Sequence, residues 1–183
     1  QEQLNRAAQW RNEQLASASW DKTTKVWNVK ISRQSKILDN YDWSVNSLAT
    51  CSDSDGDGTL LFSACSDSKV KLWRINKKNN GSDTNIPWLE YTKCGSLDGH
   101  ADAVTVLKLN ESSTDMLLTG SADQTIKRWS VKSLSCLVTL KGHKDTVSAL
   151  ELNKKATVLY SGSHDNTVKV WNLKSGQCEH TLK

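Results

Sequence analysis

At 183 residues the chain sets one domain as the starting expectation and is long enough to bury a sizeable core. Hydrophobic residues make up 37%, and no apolar run approaches the ~18 residues of a membrane-spanning helix. The net charge of +4 comes largely from Lys placed singly, with no basic-aromatic platform, which points to a solvated surface rather than a nucleic-acid site.

In chain order, a first strand is expected within Leu4 to Gln9. Ala16 to Asn28 then reads ASASWDKTTKVWN, short alternating runs broken by a turn at Asp21. The same thirteen-residue pattern returns without a gap at Phe62 to Arg74, Leu118 to Ser130 and Tyr160 to Asn172. Each copy carries Asp six residues before Trp: Asp21 and Trp27, Asp67 and Trp73, Asp123 and Trp129, Asp165 and Trp171. Between the copies lie two polar stretches. Asp53 to Gly58 (DSDGDG) is expected to be a solvated hairpin loop, and Arg74 to Glu90, with the only proline at Pro87, a long mobile connection. In the last copy, strands are expected at Val147 to Leu152, Val158 to Ser163, Thr167 to Leu173 and Gln177 to Leu182. Asp165-Asn166 makes a tight turn there, because both residues tolerate left-handed backbone. Four short strands make one sheet that cannot cover both its faces alone, so neighbouring units must stack.

Upstream of the third and fourth Asp, by about 22 residues, stand Gly99-His100 and Gly142-His143, each followed by Asp (Asp102, Asp145) and Val (Val104, Val147). Together with the phased Asp and Trp, this set resembles the WD40 repeat, the blade unit of a β-propeller. The resemblance covers nearly the whole chain. It implies an all-β fold of four blades, each of four antiparallel strands, in an open arc. Blade boundaries are expected near 1–39, 40–98, 99–141 and 142–183. The second unit departs from the pattern, with Tyr41 at the His position and Cys65 where Ser19, Ser121 and Ser163 stand. The last residues, Thr181-Leu182-Lys183, match those before a Gly-His, so the chain reads as an excerpt of a longer propeller whose remaining blades would be partners.

Ser, His and Asp recur together, as His100, Ser121, Asp123 and as His143, Ser163, Asp165, which are the ingredients of a nucleophilic triad. The resemblance implies instead a buried hydrogen-bond network in each blade, closed by Trp129 and Trp171. In it His sits between the Ser hydroxyl and the Asp turn, and the indole donates to Ser. Ser19, Asp21 and Trp27 in the first unit, and Asp67 and Trp73 in the second, are its other members. In the second unit the loss of both His and Ser implies a network absent as a whole, with Trp43 filling the space. No catalytic residue, and no cofactor, is expected.

Asp53, Asp55 and Asp57 match the first half of a calcium loop, but Leu61 and Ala64 stand where further acids belong, so they form only a weak Ca²⁺ candidate. Five Cys, odd in number and without CxxC, do not make a disulfide framework. Cys65, Cys136 and Cys178 fall on predicted strands as small buried hydrophobes, and the chain is expected in the cytoplasm or nucleus.

The resemblance also implies a partner-binding rim at the turn after the second strand and the segment after Gly-His. Carried over by position, it comprises Trp20, Ser66, Ala122 and His164, with Asp42 and Ser44, Ala101 and Ala103, Lys144 and Thr146. The implied function is a non-catalytic scaffold that binds other proteins or peptides. The alternatives are an accessory region of a larger enzyme or of an RNA- or ribosome-associated complex.

Overall fold

The computed structural model describes residues 4–10, 14–28, 33–40, 43–53, 58–78, 88–110 and 115–183. Its described elements are all strands. The first sheet holds β1 (Leu4–Trp10), β2 (Gln14–Ser19), β3 (Thr23–Asn28) and β4 (Arg33–Asn40). The second holds β5 (Val45–Ser52), β6 (Gly58–Cys65), β7 (Val70–Lys78) and β8 (Trp88–Leu97). The third holds β9 (Val104–Leu109), β10 (Met116–Ser121), β11 (Thr125–Ser130) and β12 (Ser135–Lys141). The fourth holds β13 (Val147–Leu152), β14 (Val158–Ser163), β15 (Val168–Asn172) and β16 (Gln177–Leu182). Every sheet is an antiparallel meander in sequence order. No described helix is long and apolar enough to cross a membrane.

The connection from Arg74 to Glu90 differs from the expected loop. β7 continues to Lys78 and pairs there with Trp88, so both ends of the insertion extend a hairpin. Residues 79–87 lie outside the described part.

The sheets stack through their first strands, β1 on β5, β5 on β9 and β9 on β13. Apolar residues fill each junction. Ala16, Ala18 and Val26 of the first sheet meet Val45, Leu61 and Trp73 of the second. Phe62, Ala64 and Val70 meet Val104, Leu117 and Trp129, and Leu118, Ile126 and Leu140 meet Val147, Leu159 and Trp171. Every fully covered side chain of this size contributes about 1.5–3 kcal/mol by leaving water.

Two irregularities recur at fixed places. A bulge next to each Trp shifts the pairing of the third and fourth strands. A second bulge, one residue into the first strand, leaves Asn46, Thr105 and Ser148 out of the strand-pairing register of their own sheets. The bulged side chains are used across the junctions. Asn46 Nδ2 donates to the Val104 carbonyl of the next sheet at 2.9 Å, and Thr105 Oγ1 donates to the Val147 carbonyl. Stacking is thus held by polar clasps as well as by apolar burial.

The turn between second and third strands has one conformation four times. Lys22, Ser68, Gln124 and Asn166 all have φ between 62° and 69°. Only Asn suits that left-handed region; for the other three it costs roughly 1–2 kcal/mol. The turn Asp offsets the strain by accepting the amide two residues on, as in Asp21 to Thr23, Asp67 to Lys69, Asp123 to Thr125 and Asp165 to Thr167.

Candidate functional site

In the third sheet an indole, a hydroxyl, an imidazole and a carboxylate form one line. Trp129 Nε1 donates to Thr119 Oγ1 at 2.9 Å, Thr119 Oγ1 lies 2.6 Å from His100 Nε2, and His100 Nδ1 lies 2.7 Å from Asp123 Oδ2. The fourth sheet repeats it through Trp171, Ser161, His143 and Asp165, at 2.8, 2.7 and 2.8 Å. The proton positions follow from the donors. An indole can only donate, so the hydroxyl accepts from it and spends its single proton on His Nε2. Nδ1 therefore carries the imidazole proton and donates it to the carboxylate, and the His100 ring is neutral.

The electrostatics agree. Burial pushes His100 below its ordinary value, only partly opposed by its bond to Asp123. Burial would raise Asp123, but Thr125, the Ala101 amide and His100 outweigh it and hold the carboxyl at about 2. In Asp165 burial is likewise outweighed, by Thr167, the Lys144 amide and His143, and the carboxyl sits below its ordinary range.

The hydroxyl in this line is not the one expected. Ser121 and Ser163 do not touch the imidazoles. Their Oγ atoms donate to the Asp102 and Asp145 carbonyls and accept the Asp123 and Asp165 amides, pinning the segment after Gly-His to the turn. Thr119 and Ser161 lie two residues earlier on the same face and closer to the indole. Ser17 does the same in the first sheet, accepting Trp27 Nε1 at 2.7 Å, while Ser19 accepts the Asp21 amide.

The second sheet corrects a further expectation. Its hydroxyl is not lost: Ser63 occupies the Thr119 position and is buried, with Oγ donating to the Lys71 carbonyl at 3.4 Å. Trp73 Nε1 is buried with no hydrogen-bond partner among the described residues. The network is therefore partial rather than absent. Trp43 does not fill it, being 59% exposed. Tyr41 lies outside the described residues.

A lysine two residues before each Trp answers to the imidazole. Lys25 Nζ reaches Asp21 Oδ2 at 3.1 Å, and Lys71 Nζ approaches Asp67 Oδ2 at 3.9 Å. Where His holds the carboxylate, Lys127 and Lys169 turn away to Thr139 and Thr181 Oγ1, at 2.9 Å each. This lysine is absent from the expected network; its recurrence at one position, as Lys25, Lys71, Lys127 and Lys169, is the signal the sequence carries for it.

The order hydroxyl, imidazole, carboxylate matches a hydrolytic triad, but the geometry is closed. Thr119 and Ser161 are fully buried and capped by an indole, so no substrate carbonyl reaches their oxygens. Among the described residues no group of His, Cys, Asp or Glu is arranged to hold a metal. Asp53 is buried and paired with Arg74 Nε at 2.7 Å, which takes up one of the three calcium candidates. Asp55 and Asp57 lie outside the described residues. Cys65 is buried as expected, whereas Cys136 and Cys178 are exposed, each on the fourth, edge strand of its sheet.

The rim positions come together in three sheets. The Ser66, Ala122 and His164 amides donate to the Ser44, Ala103 and Thr146 carbonyls, each at 2.9 Å. Trp20 is 63% exposed, and Ala101, Lys144 and His164 are exposed too, while Ser44, Ala103 and Thr146 are half-buried. Ser44 and Ser66 are locked to each other, Oγ to Oγ, at 2.8 Å. Asp42 lies outside the described residues. Trp43, aligned with the exposed Asp102 and Asp145, was not among the expected rim residues but stands on the same ridge.

Stacked four-stranded sheets, three of them with a hydroxyl-linked indole, define a repeat protein of the β-propeller type. The family model "WD domain, G-beta repeat" matches residues 7–28, 33–74, 91–130 and 134–172, more than half of the chain. The chain belongs to the WD40 family. Each of the last three matched segments begins on or near the fourth strand of one sheet and ends on the third strand of the next. Mitochondrial division protein 1 of Aspergillus terreus is 30% identical over 146 residues, 69% of this chain and 21% of that protein. Nuclear distribution protein PAC1 of Arthroderma otae is 31% identical over 156 residues, 80% of this chain and 33% of that protein. Nuclear distribution protein PAC1-2 of Uncinocarpus reesii is 33% identical over 155 residues, with the same coverage. The chain thus spans between a fifth and a third of the length of these relatives.

Proposed function

We propose that this chain is a non-catalytic scaffold that binds other proteins or peptides along the rim formed by Trp20, Trp43, Lys144 and His164. One observation carries the reading: segments after Gly-His are clamped to the neighbouring turns, so rim side chains are presented from rigid backbone. Preorganised presentation lowers the ordering cost of binding, and exposed Trp is the residue type enriched in interface anchors. The buried Trp–hydroxyl–His–Asp lines stiffen the blades beneath. Neither relative's name denotes a catalyst, which supports the same reading. Work in the cytoplasm or nucleus and completion by further blades belong to this proposal. The test is affinity capture from a lysate with the Trp20→Ala and Lys144→Glu variants. Loss of partners from one or both variants, with unchanged circular dichroism, is the expected result. Full retention of every partner by both would overturn it.

A further inference from the structure

Along the rim, the turn of one sheet is followed by the segment that opens the next sheet. At the first junction Ala18 and Val45 share one apolar cluster, and Trp20 and Trp43 stand two residues beyond them, one on each sheet. The junction beneath is packed, yet neither indole is drawn into it: Trp20 is 63% and Trp43 59% exposed. The backbone next to Trp43 is fixed. The Ser66 amide donates to the Ser44 carbonyl at 2.9 Å, the two hydroxyls lie 2.8 Å apart, and Asn46 Nδ2 donates to Ser66 Oγ at 3.0 Å. Those polar groups are spent on one another, so what this segment offers a partner is the indole.

In the third sheet Asp102 holds the place of Trp43, two residues before the first-strand Val. It is exposed between Ala101 and Ala103, side chains too small to shield it. Its Oδ1 accepts the Ala103 amide at 2.6 Å, and no cation among the described residues pairs with it. The turn carboxylates differ. Asp21 has Lys25, Asp67 has Lys71, and Asp123 and Asp165 have His100 and His143. In the fourth sheet Asp145 has the exposed Lys144 beside it in the chain, and in the first the exposed Lys22 follows Trp20 by two residues. Cations thus stand at both ends of the ridge. Its middle holds an uncompensated carboxylate one sheet away from an open indole, in a chain whose net charge is +4.

We propose that the rim takes an extended peptide segment carrying two guanidinium groups, one laid on the Trp43 indole and the other paired with Asp102. This deepens the scaffold reading and rests on it. Trp is the best of the aromatic rings for a cation, and a planar guanidinium both stacks on a ring and forks onto a carboxylate, which a Lys ammonium does not. Stacked sheets lie about 10 Å apart. In a polyproline II segment, residues three apart project from one side at a separation of about 9 Å. The spacing that fits is therefore Arg-x-x-Arg.

The test is fluorescence anisotropy of the full chain with a dye-labelled peptide that has an Arg-x-x-Arg core. Companion peptides carry Glu or Leu in place of both Arg, or the two Arg one residue closer. The Arg-x-x-Arg peptide should bind, more weakly as salt is raised, and each companion should bind more weakly than it does. Trp43→Ala should weaken binding about 2–5-fold, the worth of an exposed cation–π contact. Asp102→Asn keeps the acceptor for the Ala103 amide and loses only the charge. It should weaken binding about 2–5-fold and flatten the salt dependence. Asp102→Arg should prefer the peptide with one Arg and one Glu, a swap that a purely structural role for Asp102 would not produce. Absence of binding at millimolar peptide, equal binding of the Leu companion, or full binding by Trp43→Ala or Asp102→Asn would each overturn the proposal. Those outcomes leave the scaffold reading to the capture test with Trp20→Ala and Lys144→Glu, which does not depend on what the partner carries.

Discussion

Replacing Thr119 by Val changes almost no volume and deletes one hydroxyl, yet that hydroxyl serves two buried groups. Trp129 Nε1 loses its acceptor and His100 Nε2 loses its donor, with the indole only 1% exposed. A buried polar atom left unpaired costs about 1–3 kcal/mol, so two of them cost roughly 2–4 kcal/mol once some relaxation is allowed. The matched control is Thr119→Ser, which keeps the hydroxyl and removes one buried methyl group. That loss should cost about 1 kcal/mol. Urea denaturation followed by Trp fluorescence measures both variants, read as the shift in midpoint at constant slope. Thr119→Val costing no more than Thr119→Ser would refute the idea that this hydroxyl holds the line of hydrogen bonds together.

The lysine gives a second test. In His100→Ala, Lys127 is expected to swing to Asp123 as Lys25 does to Asp21, so Lys127→Ala should cost about 1 kcal/mol more in that background than in wild type, read from a double-mutant cycle. Acid should weaken the protein in two windows. His100 has a lowered folded value, so its contribution is complete above about 6.5 and is lost as pH falls below that. Asp123 is also lowered, so its share is present above 3.8 and is lost as pH falls towards about 2. Urea midpoints measured across pH should show the upper window shrink in His100→Gln. Gly120→Ala should destabilise by about 1–3 kcal/mol through its clash with Val147, while Gly162→Ala should be neutral within about 0.5 kcal/mol, both from thermal melts.

Sequence periodicity makes the blade count readable because Asp and Trp mark two fixed points of each sheet, the strained turn and the bulged strand. It was less able to name the network hydroxyl. Thr119 and Ser121 share a strand face, so alternation admits both, and only the distance from the indole separates them. The column Ser17, Ser63, Thr119 and Ser161 is an unbroken run of hydroxyls, and that is the signal the sequence carries for this position. Cys136 and Cys178 lie on the fourth, edge strand of their sheets, where alternation does not report burial because one side of the strand has no neighbour to cover it. Trp43 was set aside as filler because a large apolar residue is ordinarily buried, and no local pattern marks a ridge that is held out by a turn.

The family's unit and the folded sheet are out of step by one strand, each of the last three matched segments opening at the outer edge of the sheet before it. Copying or deleting one unit in frame therefore changes how many sheets exist while leaving every one of them with its full complement of strands. Tandem duplication can lengthen such an array without passing through a broken intermediate, because the borrowed edge and the lent edge move together.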